Sequence, residues 1–342
     1  MRICLVSHGF PPSDRTGVEN YTESLARTFA HRGHAVLVFA PRRDPDAGHL
    51  SLRIEDRDGF SIHWIALNRD PADPAEALDS GPVVRQFARF LDRERPEVVH
   101  FQHVVKLGIG CLREAHARDL PVVYTAHDYF AICHRYTLLR PDLRHCDVRG
   151  DSMACARCDL AAGFLNGVRD LGDYQAGVFA DQLDQRQATT LEGILQGDSR
   201  RSGLSEEDED AAFDRRRALD AERSRAFASV DLFLAPSRYL CEELVRGGIE
   251  RERIEVLPYG IRNDDLHGLR PPAADDGRPI RFGYFGGHSK QKGVHVLLEA
   301  FARLGGSAEL VVHGYATDEP YGDRVRELAS ASGAFCQGTY RR

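Results

Sequence analysis

The stretch Pro279–Leu304, PIRFGYFGGHSKQKGVHVLLEAFARL, reads as a strand, a glycine turn and a helix in immediate succession. Ile280, Phe282, Tyr284 and Phe285 form the apolar and aromatic run of a strand, and Val294, Leu297, Leu298, Phe301 and Leu304 recur at helical spacing. In the turn, Gly286 and Gly287 let backbone approach a ligand, Lys290 and Lys292 bring cationic donors, and the new helix offers free N–H groups. Phosphate or pyrophosphate suits that combination. The spacing is not a P-loop, because GxxxxGK[ST] puts the lysine after its second glycine whereas Lys292 precedes Gly293, and GxGxxG is absent. The residues alone leave two readings: a phosphate-binding turn, or an ordinary strand-to-helix turn with solvated lysines.

Working outward, 342 residues suffice for two domains, and 42% hydrophobic with 28% charged residues is ordinary for a globular chain, so disorder is not expected. A net charge of −7 argues against nucleic acid as a partner. No apolar run is long enough to span a bilayer, and Met1–Ser7 has a strand's length without a cleavable apolar core, which predicts a cytoplasmic protein. There the eight cysteines are not expected to form a disulfide frame, and clustered ones become metal candidates.

From the N-terminus, Arg2–Ser7 is a continuous apolar strand, and Thr16-Gly-Val-Glu19 fits a capping box before a helix with Val18, Tyr21, Leu25 and Phe29 inward. The polar, proline-stiffened loop His8–Gly17 falls at that strand's carboxyl end, where open α/β sheets bind ligands. Strands at Ala35–Ala40, Ile62–Ala66, Val98–Phe101 and Val122–Ala126 alternate with helical segments such as Val83–Leu91 and Cys111–Arg118, predicting a parallel sheet covered on both faces. His100, His103, His127 and Asp128 fall at strand ends, as ligand contacts or as satisfied structural residues. Cys133, Cys146, Cys155 and Cys158, with one CxxC among them, could form a Cys4 structural zinc site, free thiols or an iron–sulfur cluster. In the same loop Arg135, Arg140, Arg144 and Arg149 read either as a basic patch for an anionic acceptor or as a solvated face. Asp159–Arg225 reads as an exposed, partly mobile charged insertion. Strands resume at Asp231–Ala235 and Ile254–Leu257, Arg270–Pro279 is a linker by composition, and Glu309–His313 and Ala334–Gln337 are further strands.

These segments together resemble retaining glycosyltransferases of the GT-B fold, glycosyltransferase family 4 (group 1). The carriers are the loop ending at Gly17, the strand Glu97–His103, Thr125-Ala-His127-Asp, Asp231–Ser237, Arg253–Gly260 and the opening stretch with its Lys292-Gly and LLEAF. The resemblance implies two Rossmann-like α/β domains with parallel sheets. Residues 1–269 would be the acceptor domain, with a Cys-rich loop at 133–158 and an insertion at 159–225; 270–279 would be the linker, and 280–342 the first part of the nucleotide-sugar domain. It implies transfer of a sugar from a UDP- or GDP-linked donor to a glycan or lipid-linked acceptor with retention of configuration. His127 would be the active-site residue beside donor and acceptor, while Gly17, Gly286, Gly287 and Lys292 would hold the donor diphosphate. No obligatory catalytic metal is implied, since a helix N-terminus and lysine would stabilise the leaving group. A lipid-linked acceptor would bring peripheral contact with the inner membrane face. Three positions depart from the family pattern: Thr16 replaces the first glycine of its loop, Gly287 stands where many relatives carry arginine, and Tyr259 replaces asparagine.

The family's late Glu-x7-Glu motif is missing, and Pro279 to the end is 64 residues against about 150 for a full domain. The expectation is a truncated second domain with a bare edge strand and little transfer activity. Competing readings are a sugar-nucleotide epimerase of the same architecture and a metal-stabilised binding protein without catalysis.

Overall fold

A parallel strand in the middle of a sheet must be apolar on both faces, and Arg2–Val6 (β1) meets that demand with Ile3, Cys4, Leu5 and Val6 all buried. The computed structural model describes residues 1–148, 150–169, 182–260, 279–304, 308–316 and 319–338. In it β1 is followed by β2 (Ala35–Arg42), β3 (Leu52–Arg57), β4 (Phe60–Ala66), β5 (Val98–Phe101), β6 (Val122–Thr125), β7 (Leu232–Ala235) and β8 (Ile254–Val256). They form one sheet in the order β3-β4-β2-β1-β5-β6-β7-β8, parallel except for the edge pair β3–β4. Alternate residues of β1 feed different cores. Cys4 and Val6 join Phe87 and Phe90 on one face, and Ile3 and Leu5 join Phe10, Ala26 and Trp64 on the other. Each fully buried Phe or Leu contributes roughly 1.5–3 kcal/mol.

The crossover helices are α1 (Gly17–His31), α2 (Pro74–Leu78), α3 (Gly81–Glu94) and α4 (Gly110–His116). Thr16 and Glu19 start α1 as expected. The Glu19 carboxylate accepts from the Thr16 backbone N–H at 2.8 Å and from its hydroxyl. The antiparallel strand β3 was not expected. It is joined to β4 by Asp58-Gly59, both at positive φ (50° and 84°), the tight two-residue turn that aspartate and glycine favour.

The segment after β6 corrects a second expectation in part. Its acidic run Ser205–Asp210 faces solvent almost throughout, as do Arg215 and Arg217, but among the described residues α5 (Ser152–Arg169), α6 (Gln185–Gln196), α7 (Ser199–Ser202) and α8 (Glu206–Ala228) also pack on one another around Ala161, Leu165, Leu191 and Ile194. The charges pair internally. Arg216 and Arg223, 5% and 6% exposed, share the Asp220 carboxylate at 3.1 and 2.7 Å, and Arg216 also reaches Asp159 at 3.3 Å. Helix α9 (Arg238–Arg246) then leads to β8. Apart from Pro279, the linker read at 270–279 lies outside the described residues.

The second sheet is smaller: β9 (Ile280–Phe285), β10 (Ala308–His313) and β11 (Phe335–Gln337), all parallel, in the order β11-β10-β9. Helices α10 (Val294–Ala302) and α11 (Glu319–Ser332) cover it, with Val294, Leu298, Leu310, Val312, Tyr321 and Val325 buried between. Both edge strands leave large apolar side chains in the open, among them Ile280, Phe282 and Phe335. Among the described residues, no helix is long and apolar enough to cross a membrane.

Candidate active site

In the first sheet the chain passes from β1 to β2 on one side and returns to place β5 on the other, so the strand order reverses between β1 and β5. The crevice at the carboxyl ends of such a pair is where open α/β sheets hold ligands. Here it is walled by residues just past the strand ends: Ser7 and His8 after β1, Gln102 and His103 after β5, and His127 and Asp128 starting two residues past the end of β6. Tyr21 on α1 and Tyr259 beyond β8 close over them.

His127 is the hub of this group. Its Nε2 lies 2.9 Å from the Gln102 carbonyl oxygen and its Nδ1 2.7 Å from the Tyr259 hydroxyl. The side-chain carbonyl can only accept, so Nε2 carries the proton and Nδ1 accepts from the tyrosine. The Tyr259 ring stacks on the imidazole at 5.3 Å and 14°, and Tyr21 meets it edge-on at 5.4 Å. Burial, and then the neighbouring His103, pushes His127 down to about 3. At neutral pH it is therefore an uncharged imidazole whose Nδ1 can accept a hydrogen bond from any hydroxyl that displaces Tyr259.

Two carboxylate–histidine pairs flank the hub. His103 accepts the Val105 backbone N–H at Nδ1 (3.1 Å), so its Nε2–H donates to Asp128 (3.1 Å). Burial pushes the Asp128 carboxyl up, but His103 and the Phe130 N–H outweigh it and hold the acid ionised. His8 Nε2 lies 3.1 Å from Glu19. Burial of that glutamate is likewise outweighed, by His8 and Thr16, leaving its pKa at about 2. His100, by contrast, is structural: it is buried, bonds Thr125 Oγ1 at 2.8 Å, and is pushed down to about 4 by burial. Around the crevice, buried Ser7 Oγ, His8 Nδ1 and Gln102 Nε2 have no hydrogen-bond partner among the described residues. Buried polar atoms seldom go unpaired, and three at one sheet edge mark room for a polar ligand.

Gly17 is the first residue of α1, and a side chain there would meet nothing within 4 Å. The other expected donor residues sit together on the loop after β9. The Gly286 N–H bonds the His313 carbonyl (3.1 Å) and the His288 N–H the Tyr315 carbonyl (2.7 Å), tying this loop to the one after β10. The Gly286 N–H is therefore already used within the protein. Gly314, at φ +152°, must be glycine, because a Cβ would lie 1.9 Å from the Gly286 carbonyl oxygen. Gly293, at φ +66°, ends the turn Lys290–Lys292 and opens α10, leaving Lys292 exposed beside the helix start.

The Cys4 expectation is corrected. Among the described residues no group of three or more His, Cys, Asp or Glu is placed to hold a metal ion. Cys155 and Cys158 lie inside helix α5 rather than in a turn, and the Cys146 thiol donates to the Val148 carbonyl (3.4 Å). Burial pushes the Cys155 thiol up to about 12, and Cys133 stands near it. As placed, the described residues give structural zinc or a cluster no support. Nor do the loop arginines form a patch. Arg135 is buried and donates to the Leu139 carbonyl, Arg140 and Arg144 both face Asp142, and Arg149 lies outside the described residues.

Residues 15–159, which carry α1, Gln102, His103, His127 and Asp128 of the crevice, match the family model described as Glycosyltransferase Family 4. No curated protein matches the chain. Among solved structures, an OtsA apo structure aligns with a TM-score of 0.52 and 10% identity, over 100% of this chain and 74% of the other. The Anabaena protein HepE in complex with UDP and glucose aligns at 0.51 and 12% identity, over 99% and 69%. A glycosyltransferase from Rickettsia africae aligns at 0.51 and 14% identity, over 99% and 69%. Such likenesses define the fold: a GT-B arrangement of two parallel α/β sheets, the second smaller.

Proposed function

We propose that this protein is a glycosyltransferase that moves a sugar from a nucleotide-sugar donor to a glycan or lipid-linked acceptor, with retention of configuration. The observation that carries the reading is the crevice between β1 and β5: a neutral His127 within the matched region, beside unpartnered polar atoms of Ser7, His8 and Gln102. A sugar hydroxyl displacing Tyr259 would donate to His127 Nδ1. The imidazole then positions the reacting ring and stays uncharged, so it does not compete for the negative charge of the departing diphosphate. That charge falls to Lys292, to the N-terminal end of α10 and to the Gly286–Gly287 turn, with Gly17 on the acceptor-domain side. Since a solved structure of the same fold holds UDP and glucose, UDP-sugars are the first donors to try. A thermal-shift panel of UDP- and GDP-sugars tests the reading. A rise in Tm with one nucleotide sugar, absent with the free sugar, supports it. No shift with any of them overturns it.

A further inference from the structure

Beside the crevice, on the same carboxyl edge, a cavity of about 440 Å³ opens where β2 and β4 end. That volume falls within the roughly 300–1,000 Å³ of small-molecule sites. The β1–α1 and β5–α4 loops contribute Asp14 and Lys106 to it, and those same loops carry His8 and His103 of the crevice. We propose that this cavity receives the acceptor, and that the acceptor there is an uncharged, hydroxyl-rich saccharide. The proposal rests on the glycosyltransferase reading and adds the substrate class.

The charge pattern carries the argument. Every cation in the wall faces a carboxylate: Lys106 with Asp14 at 3.7 Å, Arg43 with Asp70 at 2.5 Å, Arg69 with Glu76 at 2.5 Å, and Arg42 with Asp44 at 2.9 Å. A phosphate or carboxylate ligand would have to displace one of these acids, so the cavity does not favour anions. The Arg43–Asp70 pair is open to solvent, 64% and 83% exposed, so it contributes only about 0–1 kcal/mol and leaves donors and acceptors available, while Arg42–Asp44 is largely buried. A sugar hydroxyl donates and accepts at once and can bridge such a pair without breaking it. Pro41, Leu67 and Val83 supply apolar wall between the charges, suited to the C–H faces of a pyranose. A lipid tail would find too many charges there, and an anionic sugar would find each lysine and arginine of the wall already paired.

The test is a glycan array carrying neutral, sialylated and phosphorylated glycans, probed with the labelled full chain, with UDP-glucose thermal shift run in parallel. Neutral glycans should be retained by the wild type. Ala77→Trp, which fills the cavity from an exposed position, should lower retention at least ten-fold and leave the UDP-glucose shift unchanged. Asp14→Asn with Asp70→Asn, which keep the side-chain shapes and remove only the charges, should move the preference toward acidic glycans. Wild-type preference for acidic or phosphorylated glycans, retention unaltered by Ala77→Trp, or no retention at all would each overturn the proposal. Loss of the donor reading appears separately, as absence of any nucleotide-sugar shift.

Discussion

Replacing His127 with glutamine should flatten the acid side of the protein's stability curve. In the unfolded chain this imidazole takes up a proton near its ordinary 6.5, and in the folded protein only near 3, so between those values the unfolded state binds one more proton. Stability due to His127 is therefore complete above pH 6.5 and is lost as pH falls, by about 1.4 kcal/mol per pH unit. Between pH 6.5 and 5 the loss is up to about 2 kcal/mol, an upper bound because the ring is half-buried. Glutamine can still meet Gln102 and Tyr259 but does not titrate. Glu19, held at about 2, loses its contribution mainly at lower pH, and His100 titrates alike in both proteins and cancels. Trp64 is the single tryptophan and lies in the same sheet, so urea unfolding followed by its fluorescence reads the right domain. At pH 7, 6 and 5 the gap between wild type and variant should move by 1–2 kcal/mol in the variant's favour. A gap constant within about 0.5 kcal/mol would show that His127 titrates normally and that burial does not hold it neutral.

Tyr259→Phe keeps the stack on His127 but removes the donor to Nδ1, which should cost about 0.5–1.5 kcal/mol in urea unfolding and raise the His127 midpoint in an NMR titration; an unmoved midpoint would mean the hydrogen bond is not formed in solution. Lys292→Ala should weaken UDP-sugar binding by about 1.5–3 kcal/mol in calorimetry, and unchanged affinity would remove this lysine from the diphosphate site. Gly314→Ala forces a Cβ onto the Gly286 carbonyl and should cost at least 1–3 kcal/mol, seen as a lower Tm together with weaker UDP-sugar binding, whereas a variant as stable as wild type would show the loop to be free to move.

Much of this frame can be read directly from residues. The apolar run at Arg2–Ser7, the Thr16–Glu19 cap and the pattern of Pro279–Leu304 each specify local structure through short-range periodicity and turn chemistry, and each forms where expected. The position of His127, two residues past an apolar strand, was legible for the same reason, whereas its expected role came from the family resemblance. Strand β3 was not. Leu52–Arg57 is charged at four of its six residues, and an edge strand facing water needs no apolar run, although Asp58-Gly59 announced the hairpin.

What periodicity does not carry is partnership across the chain. Gln102 stands 25 residues from His127 and Tyr259 132 residues away, and they meet it only because β5, β6 and β8 end on one edge of the sheet. The same blindness misread the buried charges. The run Ser205–Asp210 with Arg215 and Arg217 is largely exposed, as its composition suggests, yet Arg216 within it is buried because Asp159 and Asp220, from two different helices, converge on its guanidinium. Four cysteines within 26 residues likewise suggest a metal, yet α5 continues through the CxxC and spends that segment on helix packing. In each case the missing information is which elements lie side by side. That is fixed by the order β3-β4-β2-β1-β5-β6-β7-β8, and the same order sets a neutral imidazole, two carboxylate–histidine pairs and a charge-balanced cavity along one edge.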